Sequence, residues 1–345
     1  MIPGHLYEGE AMLKYSLKRI LYMIPVTIAV VFIVYLIMYL TPGDPVALLL
    51  GADATPELIA ETRTKLGISD PFIIQFVRYL WNLIHGDFGL SWYTGNPVSE
   101  RLFAAIPYTV KLSLGAMLVA LVISVPFGVI AAVHRNTFAD YSISVFAMIG
   151  VSAPTFWVGT MLILLFALEW RMLPSAFDGT WKSYILPTIT QGFNMLASIV
   201  RTQRSSMLEV LSSDYVRTAR AKGVSHFSAT YKHALRNAVL PSITVAGLDF
   251  SLLVGGSVAI ETVFAIPGVG RLMIDNIKLH DTPTVIGCMV FVSVMVSIIN
   301  LLVDLLYGLI DPRIKAQYLK GNNNGKRKNK KKEGKSSTPD LEAVS

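Results

Sequence analysis

Six apolar runs, nearly free of charged side chains, recur along the chain and are separated by polar segments. A helix needs about 20 apolar residues to cross the roughly 30 Å hydrocarbon core of a bilayer, and most of the runs reach that length. The pattern therefore predicts an all-α membrane protein with six transmembrane helices. The runs cover residues 20–40, 112–133, 141–168, 184–200, 237–260 and 284–310.

Several runs contain residues that a lipid-facing helix does not favour. Pro154 falls near the middle of the third run, where proline bends a helix, and the bend either lines a pore or is a packed structural kink. Asp249 and Asp304 lie in the fifth and sixth runs, where a central charge costs about 2.5–3.5 kcal/mol on insertion scales. Each aspartate should face a neighbouring helix or a substrate path. Together with Gly255 and Gly256, these residues are candidates for pore lining or helix packing.

Residues 41–106 form a mixed, soluble-like insert after the first run. Thr55 followed by Pro56 is typical of a helix start, and Gly67 of its end. Asp70-Pro71 predicts the start of another helix. The apolar residues of that helix are Phe72, Phe76, Tyr79, Leu80 and Leu83. Three roles stay open for the insert: a cap over a pore, a platform for a binding protein, or a folded spacer.

Composition supports a membrane location, with 53% hydrophobic and 15% charged residues and a mean hydropathy of +0.53. The net charge of +7 comes from basic residues beside the runs, and 10 of the 30 Lys and Arg residues follow Ile310. Basic residues favour the cytoplasmic side of a membrane. The segments 1–19, 134–140, 201–236 and 311–345 are therefore predicted to be cytoplasmic, with both termini, and the insert extracytoplasmic. The low-complexity tail 311–345 is predicted to be disordered, its lysines either touching anionic lipid or staying solvated.

Residue types and spacings exclude several chemistries. The single cysteine, Cys288, rules out a disulfide framework or a cysteine-based metal site within one chain. The six histidines have no metal-ligand spacing, and the sequence contains neither a Gly-x-Ser-x-Gly elbow nor a phosphate-binding loop. The sequence therefore predicts no enzyme site and no metal or cofactor bound by this chain itself. If transport is active, ATP and magnesium bind to another polypeptide.

A basic segment at 214–236, here called the coupling loop, separates the fourth and fifth runs. Ser212 and Ser213 before Asp214 favour the start of a helix, and Gly223 favours its end. Helical spacing of apolar residues predicts a second amphipathic helix after the glycine. The apolar face of this second helix consists of Phe227, Tyr231, Ala234, Leu235 and Ala238.

Two interpretations of the coupling loop follow from its residues. Small side chains at Ala219, Ala221 and Gly223 let a second backbone approach, and the intervening Arg and Lys side chains suit an acidic partner surface. The loop is then a docking knob. The alternative is a solvated basic loop on the cytoplasmic side of a membrane protein.

The string DYVRTARAKG, followed by HALRNAVLP, resembles the EAA loop of bacterial ABC importer permeases, in the form found in the dipeptide, oligopeptide and nickel group. The general pattern is Glu-Ala-Ala, three residues, Gly, nine residues, Ile, one residue and Leu-Pro. This chain keeps Ala219, Gly223 and Leu235. It departs from the pattern with Arg217 for Glu, Thr218 for Ala, His233 for Ile and Arg236 for Pro. The string GDFGLSWYTGNPV from Gly86 is also similar to peptide-importer permeases, and the resemblance covers the chain from Met12 to about Leu319.

The resemblance implies a permease subunit like those of type I ABC importers, in the cell membrane. Residues 20–40 are its first transmembrane helix, and 107–310 are a five-helix core with a cytoplasmic connection at 201–240. The implied ATPase-coupling residues are Asp214, Tyr215, Arg217, Thr218, Ala219, Arg220, Ala221, Lys222, Gly223, His233, Leu235 and Arg236. The implied partners are a second homologous permease, two ABC ATPase subunits and an extracytoplasmic binding protein that delivers the cargo.

The cargo stays open, because members of the resembled family carry dipeptides, oligopeptides, glutathione or nickel. Two further alternatives come from other classes of protein. One is a secondary transporter driven by an ion gradient, with Asp249 and Asp304 as coupling sites. The other is a membrane-embedded enzyme, for which the sequence contains no paired catalytic constellation.

Overall fold

The computed structural model describes the backbone of residues 4–51 and 53–310, and the surroundings of individual residues over 16–51, 53–255 and 257–305. The basic tail 311–345 and the surroundings of Gly256 therefore lie outside the described residues. Contacts divide the chain into a body, 22–300, and a unit formed by the chain ends, described over 4–21 and 301–310. The helices are α1 Gly4–Leu40, α2 Pro45–Leu50, α3 Pro56–Lys65, α4 Phe72–Ile84, α5 Val98–Val133, α6 Phe138–Ser152, α7 Thr155–Leu162, α8 Ile185–Leu211, α9 Asp214–Ala221, α10 His226–Ser228, α11 Leu235–Ala238, α12 Leu240–Gly256, α13 Val258–Val263, α14 Val269–Lys278 and α15 Thr282–Ile310. Two π-helical segments, Ile163–Glu169 and Ala229–Ala234, follow α7 and α10, and a 3-10 turn, Trp181–Tyr184, precedes α8.

Three helices of the described residues are long and apolar enough to cross a membrane: Ser16–Leu40 within α1, α5, and Thr282–Leu305 within α15. The number rises to five if each of two bent helix pairs is one span. The pairs are Phe138–Ser152 with Thr155–Glu169, and His226–Ala238 with Leu240–Gly255. The helix α8, on the predicted fourth span, is not among them, because Gln191, Asn194, Arg201 and Arg204 lower its hydropathy. The all-α membrane fold is therefore confirmed, with three to five candidate spans, and the count of six is not.

The centre of the body is α8, which packs against α5, α6, α7 and α12. Small buried residues recur at every fourth position of α5, which brings them onto one face of the helix. They are Ala116, Ala120, Ser124, Gly128 and Ala132. A β-carbon added to Gly192 of α8 would lie only 2.9 Å from the carbonyl oxygen of Ala116. The two helices therefore meet backbone to backbone, as small residues at a membrane helix interface allow.

The third apolar run is broken rather than kinked. The helix α6 ends at Ser152, α7 begins at Thr155, and the two are bent by 108°. Pro154 has no backbone N–H, and Ala153 before it is extended, with φ −77° and ψ 128°, as the residue before a proline prefers. The bend expected at Pro154 is thus present, but it separates two helices. Each half packs on α8 through a glycine, Gly150 or Gly159.

The fifth apolar run is also divided, so the single helix predicted over 237–260 is wrong. The helix α12 ends at Gly256, and α13 follows after Ser257. Two adjacent glycines weaken a helix because glycine loses the most backbone freedom on folding, which accounts for a break at this point. Gly255 faces α15, where an added β-carbon would lie 3.6 Å from Val292 Cγ1 and 3.8 Å from Val296 Cγ2.

The insert is built from α2, α3 and α4. Thr55 caps α3 as predicted, because its Oγ1 accepts a hydrogen bond from the Leu58 N–H at 3.3 Å. Gly67 ends the helix with a φ of 67°. The helix α4 packs an aromatic face onto α1 around Tyr35. The helix α5 already begins at Val98, so the predicted insert, 41–106, includes its first turns.

The unit formed by the chain ends contains an ion pair. Arg19 of α1 contacts the carboxylate of Asp304 of α15. An acidic residue within an apolar helix needs such a partner, because an unpaired charge away from water is costly. Asp304, one of the residues predicted to line a pore or pack helices, thus joins α15 to α1 through this contact.

Candidate functional site

The first half of the coupling loop is the short helix α9. Ser213 precedes it in an extended conformation, but its hydroxyl donates to the carbonyl of Val210 at 2.5 Å and does not cap the helix. The helix is followed by Lys222 and then Gly223, whose φ is 85°. This positive φ agrees with the prediction that a glycine ends the helix. An added β-carbon at Gly223 would meet no atom within 4 Å, so the backbone angle rather than space constrains this position.

The inner face of the coupling loop is anchored on the ends of α5 and α8. Val216 of α9 and Ala234 are fully buried and pack in one cluster with Ala132 of α5 and Met207 of α8. Ala238 of α11 belongs to the same cluster. The loop is therefore packed directly against α5 and α8.

The second half of the loop does not have the predicted apolar face. Residues 229–234 form a π-helix, whose hydrogen bonds run from i to i+5 instead of i+4. This changes the phase of the segment, so Ala234 and Ala238 turn inward while Phe227 and Tyr231 turn outward, with exposed fractions of 71% and 44%. The rings of Phe227 and Tyr231 lie 4.5 Å apart. Sequence periodicity missed this exposed aromatic pair, because it assumes a constant helical repeat.

The outer surface of the loop joins aromatic and basic groups. Tyr215 of α9 is exposed, and its hydroxyl accepts a hydrogen bond from Asn237 Nδ2 at 2.8 Å, which ties the two halves of the loop together. The basic side chains Arg217, Arg220, Lys222, Lys232 and Arg236 are all exposed. Within 4–51 and 53–310, no ion pair involves any of these residues. The surface is therefore positively charged and carries large apolar rings.

The remaining predicted residues of the loop differ in exposure. Asp214, Thr218 and Ala221 are exposed, whereas Ala219, His233 and Leu235 are partly buried. The hydroxyl of Thr218 donates to the Asp214 carbonyl at 2.8 Å within α9. Ala221 and Gly223 thus offer open space on the surface, and Ala219 lies at its edge.

Beside the loop, Arg204 of α8 and Asp140 of α6 form a bidentate ion pair. Arg204 Nε and Nη2 lie 2.6 Å and 2.7 Å from the two carboxylate oxygens of Asp140. The carboxylate also accepts a hydrogen bond from the Asn136 N–H at 3.0 Å. This pair fixes the connection between α5 and α6 on α8. Sequence reasoning used Arg204 only as part of a basic loop, and no local pattern links it to Asp140.

The predicted pore or packing residues in the body lie at separate helix contacts. Pro154 is at the break between α6 and α7, and Gly255 is at the contact of α12 with α15. Asp249 of α12 is partly buried and lies close to Ser198 of α8. The structure does not bring these three residues together into one site, and it places none of them in the coupling loop.

A buried carboxylate that the sequence analysis did not single out lies at Glu261 of α13. Its Oε1 accepts hydrogen bonds from Thr109 Oγ1 at 2.7 Å and Ser257 Oγ at 2.8 Å, and its Oε2 accepts one from the Arg271 N–H at 3.0 Å. Gly268 passes so close that an added β-carbon would overlap the carboxylate. Glu261 therefore joins α5, α13 and the start of α14. The glycines that follow it in IPGVG were the available sequence signal.

A second buried polar centre connects the insert to the body. Arg101 Nη1 of α5 lies 2.9 Å from Ser91 Oγ, 3.1 Å from Asn276 Oδ1 and 3.4 Å from Asp281 Oδ2. Asp281 is almost fully buried and also accepts a hydrogen bond from the Trp92 N–H at 3.0 Å. The segment from Gly86 is thus held against the helices that follow the fifth run.

Two family profiles match nearly the whole described chain. Residues 124–316 match the profile of the binding-protein-dependent transport system inner membrane component. Residues 12–113 match the profile of the N-terminal part of that membrane component. The sequence-based resemblance to importer permeases is therefore confirmed.

Individual relatives are similar in sequence to this chain along most of their own length. A probable peptide ABC transporter permease protein of Sinorhizobium fredii is 42% identical over 309 residues, which is 87% of this chain and 99% of the relative. A putative peptide transport system permease protein of Brucella abortus is 40% identical over 307 residues, 87% and 98% of the two chains. The glutathione transport system permease protein GsiC of Salmonella paratyphi A is 40% identical over 304 residues, 88% and 99% of the two chains.

A solved structure shares the fold. The MetNI methionine ABC transporter, in inward-facing conformations, matches with a TM-score of 0.53 over 61% of this chain and 96% of that chain, at 19% identity. The match supports a permease fold for the body and says nothing about cargo.

Proposed function

Because the chain belongs to the family of binding-protein-dependent transport system inner membrane components, we propose that it translocates peptides of the dipeptide and oligopeptide class, powered by ATP hydrolysis on partner subunits. It is a transport subunit in the inner membrane and not an enzyme. Peptide cargo rests on one observation, the 40–42% identity to permeases named for peptide transport along almost their whole length. Glutathione is the second candidate cargo, since a glutathione permease is 40% identical.

The proposed complex contains a second homologous permease, two ATPase subunits that hold ATP and magnesium, and an extracytoplasmic binding protein. The coupling loop receives the ATPase. Three features support this role: the exposed rings of Tyr215, Phe227 and Tyr231, the exposed basic side chains around them, and the buried anchor at Val216. Aromatic and arginine side chains are the groups that contribute most to protein interfaces.

We further propose six transmembrane helices, with α8 as the fourth. Polar residues such as Gln191 and Gln203 are buried by neighbouring helices rather than exposed to lipid, so α8 does not need a uniformly apolar surface. The basic segments 1–19, 134–140, 201–236 and 311–345 then all lie on the cytoplasmic side, together with both termini.

Reconstituted uptake tests this function. The permease, its partner permease, the ATPase subunits and the binding protein are placed in proteoliposomes, and uptake of labelled peptides is measured with and without ATP. Uptake should require ATP and persist when proton and sodium gradients are collapsed. Gradient-dependent uptake without ATP would show a secondary transporter instead. Binding of peptide, glutathione and nickel panels to the purified binding protein distinguishes the cargo classes.

A further inference from the structure

The insert helix α4 is apolar on two opposite sides. One side packs on α1 through Phe72, Phe76 and Tyr79. The other side carries large apolar residues with exposed fractions between 51% and 70%. These residues are Ile73, Ile74, Val77, Trp81 and Ile84. Only a narrow edge of α4, with Gln75, Arg78 and Asn82, is polar. A helix that is apolar over most of its circumference needs cover from protein or membrane, so something outside this chain's described residues must shield the second side.

The contacts of α4 along α1 show how far α4 lies from the Leu40 end of the apolar run. The rings of Phe72, Phe76 and Tyr79 lie 5.7 Å, 6.0 Å and 6.0 Å from the ring of Tyr35. Phe72 and Phe76 also meet Phe32, at 5.8 Å and 5.3 Å. With about 1.5 Å per residue, Tyr35 and Phe32 lie about 8 Å and 12 Å from Leu40, where the uncharged run of α1 ends. An interfacial helix lies at a similar depth, about 5–10 Å.

We propose that α4 lies in the membrane leaflet at the Leu40 end of α1, with its exposed side against lipid acyl chains. Ile33, Ile37 and Leu40 of α1 are neighbours in sequence of the residues that α4 contacts, and they are also exposed. The exposed side of α4 would therefore extend the lipid-facing surface of α1. The helix has 13 residues, about 20 Å of length, and is too short to cross a bilayer. It therefore lies within one leaflet.

The polar groups of α4 agree with this position. Arg78 sits outside the apolar side and pairs with Asp70 just before the helix. The ring of Trp81 contacts that of His85, with 4.8 Å between centroids, where the chain leaves the helix toward Gly86 and Asp87. Tryptophan is enriched where a membrane meets water. Both ends of α4 thus return to the polar side of the interface.

Spin labels on α4 test the inference in the reconstituted complex. Cysteine is introduced as Val77→Cys and Ile84→Cys on the exposed apolar side, and as Glu61→Cys and Lys65→Cys on the exposed surface of α3, with partner subunits free of reactive thiols. The native Cys288 is buried and serves as the unlabelled background. Collision with oxygen, which partitions into lipid, is compared with collision with a water-soluble nickel chelate.

Labels at Val77 and Ile84 should collide with oxygen several-fold more, and with the nickel chelate several-fold less, than labels at Glu61 and Lys65. Equal access of the nickel chelate to all four positions would show a water-exposed helix and overturn the inference. Low access of both reagents to Val77 and Ile84 would show cover by another protein and would also overturn it. Two independent positions on α4 keep the result interpretable if one variant does not fold.

Discussion

Arg204 of α8 forms a bidentate ion pair with the carboxylate of Asp140 on α6, with N–O distances of 2.6 Å and 2.7 Å. The two residues are 64 positions apart in the sequence. Asp140 is almost fully buried, whereas the guanidinium of Arg204 remains partly accessible. The pair holds the connection between α5 and α6 against the end of α8, next to the coupling loop. Bidentate charge-assisted pairs of this kind fix both distance and orientation.

Removing Arg204 should destabilise the protein. Arg204→Ala leaves Asp140 buried without its counter-charge, which typically costs about 3–5 kcal/mol. The matched control is Arg201→Ala, an exposed arginine on the same helix, for which a change within about 0.5 kcal/mol is expected. Thermal denaturation of the purified complex measures both. A similar small shift for the two variants would show that the ion pair contributes little.

Gly223→Val should impair the coupling loop without preventing membrane insertion. The backbone at Gly223 has a φ of 85°, and a left-handed conformation costs a residue with a β-carbon about 1–2 kcal/mol. Asparagine tolerates this region, so Gly223→Asn should retain function. Gly179 also has a φ of 85° with open space around it, and Gly179→Val is the matched control. Co-purification of ATPase subunits and substrate-stimulated ATP hydrolysis are the measurements.

Ala219→Glu should also reduce ATPase association, because a longer acidic side chain would occupy the edge of the proposed docking surface and lower its positive charge. Arg217→Ala should matter less, since Arg217 stands where the general EAA pattern has Glu. If Gly223→Val and Ala219→Glu both keep wild-type association and stimulation, the coupling loop is only a solvated connector.

The aromatic pair at Phe227 and Tyr231 should contribute directly to ATPase binding. Truncating a well-packed aromatic residue at an interface costs about 2 kcal/mol or more, which corresponds to roughly thirtyfold weaker binding. Phe227→Ala and Tyr231→Ala are compared with Phe138→Ala, another highly exposed aromatic variant, at the start of α6. Binding of purified ATPase subunits to each permease variant is measured. Losses no larger than that of Phe138→Ala would exclude the pair from the interface.

Glu261→Gln should destabilise the contact between α5, α13 and α14. The carboxylate accepts from three donors, and an amide of the same shape turns an N–H₂ group toward at least one of them. An unsatisfied buried group costs about 1–3 kcal/mol. The exposed Glu57→Gln is the matched control. Thermal denaturation should separate the two variants, and equal midpoints would mean that the network relaxes around the amide.

Local signals predicted the parts of the fold that depend on neighbours in sequence. Thr55, Gly67 and Gly223 mark helix ends because capping and positive φ are properties of a few consecutive residues. The ladder of small residues on α5 also repeats every fourth position, from Ala116 to Ala132, but this pattern was not used to predict the fold. Its meaning depends on α8 lying against it, which only the packed structure shows.

The polar centres could not be predicted in the same way. Asp140 pairs with Arg204, Thr109 with Glu261 and Arg101 with Asp281 at separations of 64, 152 and 180 residues. Nothing in the spacing of one sequence identifies such partners. The exposed rings of the coupling loop were missed for a different reason, because the π-helical segment 229–234 puts Phe227 and Tyr231 on a different face from Ala234 and Ala238.

The contact of Gly192 with Ala116 has a mechanical consequence. Where two backbones touch, the interlocked steps of the α5 ladder resist gradual sliding, and the next register lies four residues away, about 6 Å along the axis. The two helices must therefore move as one rigid unit when force acts on their ends at the coupling loop. Rotation between helix segments is then easier at breaks such as Ala153–Pro154 and Ser257, where no continuous helix resists it.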